Sequence, residues 1–145
     1  MSDNVTRAGE SFPQTAGSWK DRRVHLKSVL AQYEDARLAK FLPYVVPAVC
    51  EEFELPREAI FSATRTRRIT VPRHICWFLC IYHPAGRFAY SRIGPAFGRD
   101  HTTVMSGVKV VRERLIRNEK SVLTKTQKVC NRLSFYGLKD WKVTL

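Results

Sequence analysis

The densest group of chemically capable side chains in this sequence is Arg99-Asp100-His101-Thr102-Thr103, a guanidinium, a carboxylate, an imidazole and two hydroxyls in consecutive positions. Acid–base catalysis needs a base and an orienting group that face each other, and adjacent positions on one helix do not. No nucleophile or second carboxylate accompanies the run, so no catalytic residue is expected. Small polar groups at a helix start suit a different task. A threonine hydroxyl serves a donor or an acceptor on a base edge, and its methyl meets a thymine methyl. Cys76, Cys80 and His83 form a second candidate group, at i, i+4 and i+7 on one helix face. They supply three ligands where a structural zinc takes four. They read as buried core side chains, and neither a metal nor a cofactor is expected.

The charge distribution points the same way. The chain has 145 residues, with 25 Lys and Arg against 13 Asp and Glu, a formal charge of +12. Residues 1–56 hold 7 basic and 8 acidic side chains, whereas residues 57–117 hold 12 basic against Glu58, Asp100 and Glu113. Eleven of those 12 are arginine, whose planar fork bonds phosphate oxygens and guanine edges bidentately. The last 28 residues add a net +4. A basic segment this concentrated predicts a polyanionic partner.

The elements that must carry these groups are helical. Residues 1–20 mix Ser, Thr, Gly, Asn and Pro and predict a flexible arm. Leu26, Val29, Leu30, Tyr33 and Leu38 give a helix from Asp21, its cap, to Leu42, with Pro43 expected to end it. Val45, Val49 and Phe53 give a second helix from Tyr44 to Phe53, and Leu55 to Phe61 a turn with a short helical piece. Ser62 to Ile69 lacks periodicity and predicts an exposed loop. Thr70 or Val71 should cap the next helix, with Pro72 in its first turn, which runs through Ile75, Phe78 and Leu79 to the breaker pair His83-Pro84. Apolar almost all round, it should be the central core helix. A short helix from Tyr90 to Phe97 is stopped by Gly98. The last strong helix starts at Asp100, whose carboxylate is expected to accept the Thr103 N–H. Val104, Val108, Val111 and Leu115 make its buried stripe, and Thr102, Ser106 and Lys109 its open face. A further helix spans Val122 to Leu133. No alternating strand pattern occurs, so the fold class is all α, a helical bundle.

Two short helices joined by a glycine turn, the second opening on small polar groups, describe a helix-turn-helix. Gly98-Arg99-Asp100-His101-Thr102-Thr103-Val104, preceded by Ile93-Gly94-Pro95-Ala96-Phe97, by Arg65-Thr66-Arg67-Arg68 and by Val71-Pro72-Arg73-His74-Ile75, resembles the C-terminal DNA-binding domain of the bacterial replication initiator DnaA. The likeness covers roughly residues 41–117. It implies a helix-turn-helix bundle that recognises a short, asymmetric, A/T-rich duplex. It also implies major-groove and backbone contacts by Asp100, His101, Thr102 and Thr103, a contact by Arg73, and insertion of Arg65 into the minor groove. A narrow A/T minor groove concentrates the negative potential that attracts such an arginine. Ser106 stands where many members have a histidine, and no Gly-x-x-x-x-Gly-Lys-Ser/Thr phosphate loop occurs. The expectation is a stand-alone binding domain without the ATPase.

The expected domain plan is thus an arm (1–20), an N-terminal helix (21–42), the helix-turn-helix domain (43–117) and a C-terminal helix and tail (118–145). The expected contact set on double-stranded DNA is Arg65, Arg67, Arg73, Arg92, Arg99, Asp100, His101, Thr102, Thr103, Ser106 and Lys109. A transcriptional regulator is the leading expectation. The alternatives are a replication modulator occupying initiator boxes and a basic protein-interaction module. The N-terminal helix, through Val29, Leu30 and Tyr33, is a candidate surface for self-association or another protein. The longest apolar run, Ile75 to Tyr82, falls far short of the roughly 20 residues needed to cross a bilayer, and a cytoplasmic, nucleoid-associated location is expected.

Overall fold

The computed structural model describes residues 19–144, with side chains from Leu26 onward. The expected arm lies almost wholly outside the described residues. Six helices follow in order: α1 (Trp19–Phe53), α2 (Arg57–Phe61), α3 (Arg67–Tyr82), α4 (Tyr90–Ala96), α5 (His101–Ile116) and α6 (Lys120–Phe135). There is no strand among the described residues, in keeping with the all-α expectation. The chain divides into two units, residues 1–34 and 35–145. In the first, Leu26, Val29, Leu30 and Tyr33 are 46 to 65% exposed.

The second unit is built around α3. Ile75, Cys76, Trp77, Phe78, Leu79 and Cys80 are all buried, which is what an apolar circumference dictates for a helix covered on every side. Packed around it are Val45, Val46 and Val49 of α1, Ile60 of α2, Ile93 of α4, Val104 and Val108 of α5, and Val129 and Leu133 of α6. The predicted stripe on α5 is buried as expected, at Val104, Val108, Val111 and Leu115. Between Val104 and Val108 the stripe also carries Gly107. A Cβ there would stand 2.7 Å from His74 Cδ2 and from Trp77 Cε3. The missing side chain lets α5 lie directly on the aromatic face of α3, and this sets the depth at which α5 is seated.

Three local expectations are corrected. Pro43 does not end the first helix: α1 continues through Pro43 and Pro47 to Phe53, so two predicted helices are one. Each interior proline costs about 3 kcal/mol. Leu38, Phe41, Val45, Val46, Ala48 and Val49, buried on both sides of the break, together offset it at roughly 1.5–3 kcal/mol per large side chain. The helix also begins at Trp19, which puts Asp21 inside it and not at its cap. Finally, α3 starts at Arg67 and not after Thr70 or Val71. The Thr66 carbonyl accepts the Ile69 and Thr70 amides at 2.9 Å each, and Pro72 sits one turn further in. Arg67 and Arg68, predicted in the loop, are therefore exposed on the first turn of a helix.

Beyond α5 the chain is tied back to α1 by charge. Lys125 Nζ lies 3.1 Å from Glu52 Oε2, Arg132 Nη1 3.1 Å from Glu51 Oε1, and the Tyr136 hydroxyl donates to Glu51 Oε1 at 2.8 Å. The tail then returns across α6, where Val143 N–H donates to Gln127 Oε1 at 2.8 Å and Trp141 meets the buried His83 ring edge-on. Cys76 and Cys80 are buried core thiols. No group of three His, Cys, Asp or Glu among the described residues is arranged to hold a metal ion. No described helix is long and apolar enough to cross a membrane.

Two outcomes test this packing. Gly107→Ala is expected to lower unfolding free energy by about 1–2 kcal/mol, overpacking against Trp77 outweighing the roughly 1 kcal/mol gained in helix propensity; chemical denaturation measures it. Burial, reinforced by Arg73, Arg114 and Arg99, pushes the His74 imidazole down to about 4. The unfolded chain then takes up the proton first, so stability is complete above pH 6.5 and falls as pH drops toward 4, with a slope of at most about 1.4 kcal/mol per pH unit from this group. His74→Gln should flatten that slope.

Candidate nucleic-acid interface

The site is assembled where α4 hands over to α5. Gly98 adopts φ +64°, the left-handed geometry that ends α4, and the Arg99 amide turns back to donate to the Gly94 carbonyl at 2.8 Å. A Cβ on Gly94 would come within 2.7 Å of the Arg99 carbonyl, so the turn closes only over a residue without a side chain. Phe97 anchors the turn from below, stacking on Phe61 at 4.9 Å and meeting Trp77 edge-on at 5.9 Å. The start of α5 is left projecting from the bundle.

On that projecting end Asp100 caps the helix with its backbone: its carbonyl accepts the Thr103 amide at 3.0 Å and the Val104 amide at 3.3 Å. Its carboxylate makes no cap bond, contrary to expectation. It accepts the Thr102 hydroxyl at 2.5 Å and stands 3.3 Å from His101 Nδ1. The Thr102 hydrogen bond, helped by His101, holds the Asp100 carboxyl below its ordinary range. With its proton committed to Asp100, the Thr102 oxygen is left as an acceptor on an exposed residue, suited to an amino group on a base edge. His101, Thr102, Thr103, Ser106 and Lys109 are all exposed, so the predicted open face is present.

The basic loop before α3 is fastened to this turn by two arginines. Arg73 is only 2% exposed and points inward. Its Nε donates to Ile60 O at 2.9 Å, its Nη1 to Thr64 O at 3.0 Å, and its Nη2 to Ser62 O at 2.7 Å and Ala59 O at 3.3 Å. Arg99 Nη2 also donates to Ser62 O. Burial, and then the neighbouring Arg99 charge, lower the Arg73 guanidinium from its usual value. Sequence reasoning set Arg73 on the ligand; its guanidinium is occupied in holding residues 59–64. Arg65, by contrast, stands exposed on the loop that Arg73 and Arg99 secure, and Arg67 is exposed on the first turn of α3. Arg92 is partly exposed, its Nη1 3.3 Å from Asp35 Oδ2. Gly94 and Gly107 are the positions sequence reasoning missed; nothing in one sequence marks which glycines face a crossing backbone or ring.

Residues 43–111 match the profile of the bacterial DnaA protein helix-turn-helix family. The chain is 31% identical over 78 residues to chromosomal replication initiator protein DnaA 2 of Protochlamydia amoebophila, covering 54% of this chain and 17% of that protein. It is 30% identical over 111 residues to DnaA 1 of Chlamydia muridarum, covering 75% of this chain and 24% of that one. With DnaA of Deinococcus deserti the identity is 34% over 71 residues, 49% of this chain and 15% of the relative. The match thus spans a quarter or less of these relatives' length.

Arg73 and Thr102 should separate cleanly on substitution. Arg73→Ala, which strips donors from buried carbonyls, is expected to cost about 3 kcal/mol of folding stability in thermal or urea unfolding, with Thr102→Ala within about 0.5 kcal/mol of the parent. An Arg73→Ala variant as stable as the parent would show that the loop does not depend on the guanidinium.

Proposed function

We propose, from the premise that residues 43–111 belong to the bacterial DnaA helix-turn-helix family, that this chain binds double-stranded DNA by sequence and acts as a transcriptional regulator. The observation that carries the reading is the start of α5, where His101, Thr102 and Thr103 are exposed on a helix whose apolar stripe is buried. The helix start reads base edges in the major groove. Arg65 enters an adjoining A/T-rich minor groove, and Arg67, Arg92, Arg99, Ser106 and Lys109 meet the backbone. Arg73 leaves the contact set and enters the support of Arg65. Asp100 contributes by orienting Thr102. Such binding places the protein on the nucleoid.

The exposed apolar side chains at Leu26, Val29, Leu30 and Tyr33 favour an accompanying role for the first unit in self-association. Light scattering of the full chain and of a Leu26→Lys, Leu30→Lys variant tests it. A mass that drops to one copy in the variant supports the role, and a parent already at one copy dismisses it.

Selection from random duplexes gives the preferred site, and two measurements on it test the main reading. Thr102→Ala is expected to weaken that site by about 1–3 kcal/mol while binding to unrelated duplex stays nearly unchanged. Equal losses on every duplex would remove Thr102 from base reading. Genome-wide occupancy then separates regulation from replication: sites spread over promoters support the regulator, and occupancy confined to the origin supports a replication modulator in its place.

A further inference from the structure

A groove of about 410 Å³ runs along α5. Its walls are Tyr82 at the end of α3, Tyr90 at the start of α4, and Met105, Val108, Lys109 and Arg112 of α5. Thr102 and Ser106 also line it, so it opens onto the face that reads bases. Its chemistry is divided. Met105 and Val108 with the two phenol rings make an apolar floor, while Lys109 and Arg112 put two cations on the rim. Both cations are exposed, and neither has an ion-pair partner among the described residues. Arg92, Arg114, Lys125 and Arg132, by contrast, are each matched with a carboxylate.

We propose that this groove seats a sugar–phosphate segment of the DNA strand that flanks the bases read by Thr102, with Arg112 and Tyr90 as binding residues beyond the helix start. The occupant follows from the lining. A deoxyribose offers carbon-bound hydrogens to the apolar floor, and the phosphodiester attached to it offers anionic oxygens to the guanidinium and the ammonium at the rim. The Tyr90 hydroxyl lies close enough to Tyr82 and Arg112 to feel both, its proton held more tightly through burial and Tyr82 and less tightly through Arg112. It is therefore a neutral donor next to the cation. Because Thr102, Ser106 and Lys109 belong to both surfaces, a strand leaving the base-reading end passes into the groove without a gap. The inference rests on the DNA-binding reading given above.

The test uses the full chain, a selected duplex and an unrelated duplex. Arg112→Ala is expected to weaken both by about fivefold near 0.15 M salt and to flatten the log–log salt slope by about 0.9, the counterion value of one phosphate. Tyr90→Phe keeps the packing and should give a smaller loss, again equal on both duplexes. Replacing single phosphates with neutral methylphosphonates locates the contact: one position should cost the parent about fivefold and cost Arg112→Ala nothing further. Arg112 is exposed and has no ion-pair partner among the described residues, so its removal should leave the melting temperature unchanged. Parent-like affinity and salt slope for Arg112→Ala would overturn the groove as a DNA site while leaving Thr102 readout standing. A parent that binds no duplex at all would instead sink the DNA-binding reading.

Discussion

The arrangement depends on how closely α5 can approach α3. Where Gly107 lies against the Trp77 and His74 rings, α5 presents no side chain of its own, and the valines on either side are at most 2% exposed. An α5 held further off would open the core and tilt its own first turn, and that first turn is where the polar groups sit. The recognition chemistry proposed for that turn therefore rests on an apolar contact one to two turns away. A base-reading group must be placed within hydrogen-bonding tolerance of its target, and close docking of the helix behind it serves that end.

The second constraint is electrostatic and works in the opposite sense. Concentrating arginine in residues 57–117 suits a polyanionic ligand, yet the same charges repel one another in the free protein. The fold answers by giving several of them internal work. Arg73 and Arg99 converge on the Ser62 carbonyl, and Arg92 reaches Asp35 on α1. Those bonds turn the basic loop and the helix-turn-helix into one supported surface, on which Arg65, Arg67, Lys109 and Arg112 are exposed with no ion-pair partner among the described residues. On the proposed reading, phosphate contacts would fix position and register, and the few hydroxyls at the start of α5 would supply discrimination.

Much of this was legible in the sequence because it is periodic or local. The stripe Val104, Val108, Val111 and Leu115 announces its helix by spacing alone, and the His83-Pro84 break ends α3 where it should. The open face of α5 follows from the same spacing. What escaped was whatever depends on partners distant in the chain. Pro43 reads as a stop because local propensity opposes a helix there, and only burial of Leu38 to Val49 outweighs it. Arg73 reads as a surface cation, since its four carbonyl partners lie 9 to 14 positions earlier, on the short α2 and on the patternless loop that follows it. The carboxylate of Asp100 reads as a cap because spacing permits one, whereas the nearer Thr102 hydroxyl takes it.

The central claim is that the amino end of α5 meets the duplex while its valine face stays in the core. Nuclear magnetic resonance of the labelled protein, titrated with the selected duplex, tests this most directly. The account predicts that the amide and methyl signals of Thr102 and Thr103, with the His101 ring, shift most, and that Val104, Val108 and Val111 scarcely move. A duplex that binds in a salt-dependent manner yet leaves His101, Thr102 and Thr103 unperturbed would contradict it.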